Sequence, residues 1–169
     1  MYYKINIGSD IFKLGGWVNV DLRLSVQPTM VSNILQLGLR NDCACEVNLG
    51  NILEHLPPED IIPALIECKR IMATGAILYI TCPMIDLAEE SFNRGEITQE
   101  ALRLIIEGED SGPNHHLTQM RSGDLERYVI SCGFHSCSVI DLKTFPYVVV
   151  SNVKDPKPDP WQYGVQAVK

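Results

Sequence analysis

The sequence predicts an α/β domain with a mostly parallel sheet, and three observations carry that prediction. Short apolar runs bounded by glycine or proline recur, as in YYKINIG, GWVNVD and ATGAILYITCP. Segments with a 3.6-residue apolar period fall between the later runs, so strands and helices alternate. An acid, Asp21, closes the second run thirteen positions after Gly8, the glycine that follows the first. A glycine and a carboxylate at the ends of neighbouring strands is how α/β proteins hold a ribosyl ligand. The glycine admits the ligand to the backbone, and the acid accepts hydrogen bonds from ribose hydroxyls.

Each element has its own signal. Residues 2–7 and 17–20 read as buried strands. A dinucleotide-binding unit has about twenty residues between its glycine and its acid, room for a full helix. Here the first crossover helix must be absent or reduced to a turn. Residues 30–31 and 45–49 are a third and a fourth strand. Residues 60–72 form the clearest helix, with Ile61, Leu65, Cys68 and Met72 on one face. Asp60 as its cap places Pro63 in the first turn, where a missing N–H has no partner to lose. Gly75 ends that region, and residues 76–81 are a fifth strand stopped by Pro83. Asp86 with Glu89 resembles a capping box for a helix toward Asn93. Thr98 caps another, ending at Gly108. Ser122 opens the last, with Leu125, Tyr128, Val129 and Cys132 on one face and Gly133 as its stop. Residues 134–142 and 163–168 are two closing strands, separated by a stretch that combines strand character with a Pro- and Lys-bearing loop.

Composition narrows the classes of function. The 169 residues, 46% hydrophobic, suffice for one core and are too few for two ordinary domains, so residues 1–169 are expected to form a single domain. A net charge of −7 and no basic run longer than Lys69-Arg70 argue against nucleic acid. No apolar run is long enough to span a bilayer, so no membrane partner is expected. The chain starts in a strand-like run without a leader, and its six cysteines read as reduced thiols, so a cytoplasmic location is expected. Cys43 and Cys45 lack a second pair or a histidine partner at zinc-finger spacing, and no metal is expected.

With KINIGSDIFKLGGWVNVD, NILEHLPPED, ATGAILYITCP and the SCGF ending of the last helix in this order, the whole chain resembles the small class I S-adenosylmethionine (SAM)-dependent methyltransferases. Their motifs run roughly GCG…GWxNVD, LEHL, then RVLKPGGxLxxxxPD. The resemblance implies a Rossmann-like class I methyltransferase fold, with a seven-stranded, mostly parallel sheet, an antiparallel terminal hairpin and a shortened first crossover. It implies SAM as cofactor, a small-molecule or saccharide acceptor, and a cofactor site at Gly8, Ser9, Asp10, Asp21, Asn33, Ile34, Leu49, Gly50 and Asn51. Asp21 would bind ribose, and Asn33 would contact the adenine amine or simply make an Asx turn. The backbone near Leu49 to Asn51 would border the methionine moiety.

Asp10 departs from the pattern, which has glycine there. Its carboxylate would repel the methionine carboxylate or receive the ammonium. His55 and His116 are candidate catalytic residues, although Glu54 and His55 also serve as structural ties in such proteins. His115 and His116 lie in a Gly/Pro loop open to three uses: solvent exposure, metal binding or lining of the acceptor pocket. A degenerate, non-catalytic nucleoside-binding or interaction scaffold on the same fold is the alternative.

Overall fold

The computed structural model describes residues 2–109, 112, 114–147 and 159–169. Among these, seven strands form one sheet: β1 (Tyr3–Ile7), β2 (Val18–Asp21), β3 (Met30–Val31), β4 (Ala44–Gly50), β5 (Met72–Pro83), β6 (Ser136–Val139) and β7 (Gln162–Val168). Their spatial order is β3-β2-β1-β4-β5-β7-β6. Strands β1 to β5 pair in parallel, and β7 runs antiparallel between β5 and β6. The expected mixed sheet with an antiparallel closing pair is therefore present. The strand order reverses between β1 and β4, the switch point at which such sheets bind ligands.

Four helices among the described residues accompany the sheet: α1 (Pro58–Ile71), α2 (Ile85–Asn93), α3 (Gln99–Glu107) and α4 (Asp124–Ser131). Buried Ile61, Leu65 and Cys68 of α1 and Leu125 and Val129 of α4 share one core with Ile5, Ile7, Val47, Leu49, Leu78 and Ile80 of the strands. Those strand residues alternate with Lys4, Asn6, Glu46, Asn48 and Tyr79, so the opposite face of the sheet is polar. A parallel sheet covered by helices on both faces has near-continuous apolar strands. This one alternates, and its early connections, β1 to β2 and β2 to β3, contain no α-helix to cover that face. The alternation is visible in KINIG and CEVNLG, and it distinguishes these strands from the fully buried ones expected.

An asparagine ladder replaces the missing first crossover helix. Asn48 Nδ2 donates to Asn6 Oδ1 at 2.9 Å, and Asn6 Nδ2 donates to Asn19 Oδ1 at 3.0 Å, crossing β4, β1 and β2. Asn19 also accepts the Leu14 N–H at 2.9 Å and donates to the Leu14 carbonyl at 3.1 Å, which pins the turn against the sheet. Beside the ladder Lys4 pairs with Glu46 at 2.7 Å and lies over the Trp17 ring, which meets Tyr147 edge-on. Asn19→Ala would remove the acceptor shared by Asn6 Nδ2 and the Leu14 N–H, at about 1–3 kcal/mol for each group left buried and unsatisfied. Thermal melting should fall by roughly 2–4 °C per kcal/mol in a chain of this size. An unchanged melting temperature would show that the ladder does not hold the crossover.

Several boundaries differ from expectation. Helix α1 begins at Pro58 with Pro57 as its cap, so Asp60 is not the cap and Pro63 lies in the second turn. There it removes the hydrogen bond to the Glu59 carbonyl that an N–H would make. The helix tolerates this because its apolar face is deeply buried. Strand β5 starts at Met72 rather than 76 and runs through Pro83, with an irregular stretch around Gly75 (φ 78°). Met84, not Asp86, stands at the cap position of α2; the Asp86 carboxylate lies in the first turn, accepts the Ser122 N–H and ties α2 to the approach to α4. Gly123, not Ser122, precedes α4. Thr98 caps α3 as expected, accepting from Ala101 N at 3.1 Å. The predicted strand 134–142 is reduced to β6, because Asp141 starts a turn. Most of the Pro- and Lys-bearing stretch before β7 lies outside the described residues. Among the described residues no helix is long and apolar enough to cross a membrane.

Candidate functional site

Two adjoining clefts open at the carboxyl ends of β1, β2 and β4. One, of about 310 Å³, is lined by Gly8, Asp10, Asp21, Arg23, Asn33, Ile34, Asn51 and His55 among others. The second, of about 670 Å³, shares Gly8, Asp10, Asn51 and His55 and adds Ser9, Gly50, Glu54 and His116. Of the nine cofactor-site residues expected from sequence, eight border one or both clefts. Leu49 does not: its side chain is fully buried in the core on the helix side of the sheet.

Gly8 turns the chain out of β1 with φ 67°, and a Cβ there would fall 2.3 Å from Ile52 Cδ1. The left-handed geometry favours glycine, and a side chain there would also have to push the Ile52 side chain aside. Asp10 and Asn51 also adopt left-handed backbone, with φ 42° and 52°, which Asp and Asn tolerate better than most residues. The Asp10 N–H donates to Asp21 Oδ2 at 2.9 Å, while Asp21 Oδ1 accepts the backbone N–H of Arg23 at 2.9 Å and its Nε at 3.1 Å. Burial alone would raise the Asp21 carboxyl. The hydrogen bonds from Arg23 and from the Asp10 backbone outweigh it, and the pKa lies below the ordinary Asp value.

Arg23 carries no signal in the sequence, yet it sits at the centre of this cleft. Its guanidinium also pairs with Asp10 Oδ1 at 3.1 Å, so it bridges both carboxylates. The charge at Asp10 is thereby balanced within the protein. Asn33 Oδ1 accepts the Leu35 N–H at 2.9 Å, an Asx turn, so that oxygen is already engaged.

Ser9 Oγ, Asn48 Oδ1 and Asn51 Oδ1 are buried without a hydrogen-bond partner on the walls of the larger cleft. Orphaned acceptors there suit a ligand that brings donors, as an ammonium group does. In this respect the residues fit the methionine end of SAM, and Asp21 fits its ribose if Arg23 yields.

Beneath that cleft the turn Leu53–His55 meets the segment after α3. The Glu54 carbonyl accepts the N–H groups of Leu117 and Thr118 at 2.8 and 3.0 Å, and Thr118 Oγ1 donates to the Leu56 carbonyl at 2.6 Å. Gly108 lets the 114–116 turn approach closely, since a Cβ would fall 2.1 Å from the Asn114 carbonyl oxygen. These ties bring the His55 and His116 rings to a centroid distance of 4.9 Å. His115 instead reaches the Glu109 carbonyl and borders neither cleft.

The Glu54 carboxyl is buried and its pKa is pushed up to about 7, opposed only by its own backbone and by the Cys82 thiol, which donates at 3.3 Å. Burial also lowers both His55 and His116, keeping the rings neutral at ordinary pH. All six cysteines are free.

No protein-family model matches the chain, and no curated protein sequence matches it. Solved structures do. A SAM-dependent methyltransferase from Archaeoglobus fulgidus superposes with a TM-score of 0.65 at 15% identity, over 99% of this chain and 86% of that one. A Thermotoga maritima SAM-dependent methyltransferase, described as a possible histamine N-methyltransferase, gives 0.65 at 14%, over 100% and 83%. A Haemonchus contortus phosphoethanolamine N-methyltransferase in complex with phosphomonomethylethanolamine and S-adenosylhomocysteine gives 0.61 at 13%, over 100% and 50%. The fold is that of the Rossmann-like SAM-dependent methyltransferases.

Proposed function

We propose that residues 1–169 form one SAM-dependent methyltransferase domain acting on a small-molecule or saccharide acceptor. The observation that carries this reading is the cleft at the β1/β4 switch point. There Gly8 exposes the backbone, Asp21 ends β2, and the acceptors of Ser9, Asn48 and Asn51 lack partners. Asp21 would hold the ribose hydroxyls, taking them at the oxygens where Arg23 now donates. Asn51 and Ser9 would face the ammonium, and the Asx turn at Asn33 with buried Ile34 would border the adenine.

When bound, SAM supplies a sulfonium methyl that an acceptor atom attacks in line. The chain's own contribution is orientation, which is worth about 7–11 kcal/mol when the reacting atoms are held aligned. The larger cleft gives the acceptor its room. Leu104 and Ile105 of α3 and Trp161 form apolar parts of its wall, and neutral His55 or His116 would take a proton where the acceptor must lose one.

The rival is a nucleoside-binding scaffold that transfers nothing, and the carboxylate at Asp10 and the shortened first crossover are the features that favour it. Calorimetric titration with SAM and S-adenosylhomocysteine tests the binding both readings share, and the expected outcome is one site per chain for each. No heat with either ligand would overturn the assignment. Transfer of label from methyl-labelled SAM to a panel of small hydroxyl and amine acceptors separates enzyme from scaffold. Asp10→Gly in the same titration reads the role of that carboxylate. Tighter binding marks repulsion of the methionine carboxylate, and weaker binding marks a contact with the ammonium.

A further inference from the structure

From the sequence, the adjacent pair His115 and His116, without a third convergent ligand, is only weak evidence for a metal. The fold supplies the missing ligands from the opposite side of the cleft. Glu54, His55 and His116 present ligand atoms that all lie within 4.8 Å of one another. We propose that these three residues bind a divalent first-row transition ion, zinc above all, with an open coordination position facing the 670 Å³ cleft.

Three observations converge on this site. The first is the orientation of the rings. His55 Nδ1 lies 3.1 Å from the His115 carbonyl and His116 Nδ1 lies 3.0 Å from the Ile105 carbonyl. A carbonyl only accepts, so each Nδ1 carries the hydrogen and each Nε2 keeps its lone pair. Imidazoles that bind metal are held in this way, with the second nitrogen donating to a carbonyl or carboxylate.

The second is the carboxylate. Glu54 is 2% exposed, and among the described residues no Lys or Arg contributes to its surroundings; the Cys82 thiol, a weak donor, is its side-chain partner. A buried carboxylate without a counter-charge is costly, and a divalent cation removes that cost.

The third is the chemistry of the donor set. Two imidazoles and one carboxylate with an open position are the ligands of catalytic zinc sites and of non-haem iron sites. Bonds of about 2.1 Å place tetrahedral donors roughly 3.4 Å apart. The spread of up to 4.8 Å therefore has to close by up to about 1.4 Å on binding.

The cleft beside the cluster is lined by Gly8, Asn51 and Leu104 and Ile105 of α3; an open position on that side would take an oxygen or nitrogen of a cleft ligand, and with both Nε2 lone pairs on the ion neither ring would act as the proton acceptor. That use of the ion, unlike its binding, rests on the methyl-transfer reading above.

Chelator-treated protein titrated with Zn(II), and separately with Co(II) followed by visible absorption, tests the site. One equivalent of zinc should bind, cobalt should give d–d bands of four- or five-coordination, and His55→Gln and His116→Gln should each weaken binding at least tenfold. Cys45→Ser, remote from the cluster, should leave it unchanged. Glu54→Gln is read beside its thermal melt. If it fails to fold, the variants of the two half-buried histidines decide whether the site exists.

No zinc uptake, or uptake that survives His116→Gln, would overturn the proposal. A SAM titration on the metal-free protein keeps the two readings apart. SAM binding without zinc binding removes only the metal site, and zinc binding without SAM binding removes only the methyl-transfer reading.

Discussion

Deleting the chain from Trp161 onward will abolish soluble expression. Strand β7 is not the edge of the sheet: it is paired with β5 from Gln162 to Val168 and with β6 along its far side. Val165 and Ala167 are fully buried, and the final residue continues the pairing through hydrogen bonds to Gly75 and Ala76. Lys169 Nζ also reaches the Met72 carbonyl at 2.6 Å and Asp42 at 2.7 Å. Removing β7 uncovers the N–H and C=O groups of β5 along an apolar strand, and β6 loses the strand it pairs with. An open edge of that kind pairs with other chains. With total stabilities of about 5–15 kcal/mol for a domain, nothing is left to offset the loss. Solubility on expression and size-exclusion chromatography report the outcome. A monomeric truncated chain with a cooperative melt and unchanged SAM binding would show that the strand is dispensable.

Asp21→Ala will affect both ligand binding and the cleft itself. Charge-assisted hydrogen bonds are worth about 1.5–3 kcal/mol, so SAM affinity should fall by roughly ten- to more than a hundredfold. The same carboxylate organises the protein, because it accepts from Asp10 N and from the backbone and side chain of Arg23. Its folded pKa is depressed, so its contribution to stability is fully present above the unfolded value of about 3.9. That contribution is lost as pH falls through the lower folded value. Acid melts should therefore show Asp21→Asn losing less stability than the parent below about pH 4. Calorimetry at neutral pH reads the binding effect separately. Unchanged affinity in a folded Asp21→Ala variant would remove Asp21 from the cofactor site.

The order and type of most elements were legible in the residues alone, because local periodicity and turn chemistry act over a few positions. Gly8 with Asp21 marked the ends of β1 and β2, the offset of only thirteen positions between them excluded a full crossover helix, and Ile61, Leu65 and Cys68 declared the buried face of α1. Cap positions were less legible. Asp60 and Asp86 had the right residue type, but whether a carboxylate caps its own helix or, like Asp86, reaches the Ser122 N–H depends on what lies across the fold.

The rest came from how the elements pack. Asn6, Asn19 and Asn48 are ordinary residues in three separate segments, and only parallel pairing of their strands lines them into a ladder. Arg23 is one surface-type residue in LRLS until the turn after β2 folds it back onto Asp21 and Asp10. His116 lies 61 positions from His55, and only the bonds from the 114–118 segment to the Glu54 and Leu56 carbonyls bring their rings together beside a buried carboxylate. Contacts over such separations are set by packing between distant segments, and no local pattern records them.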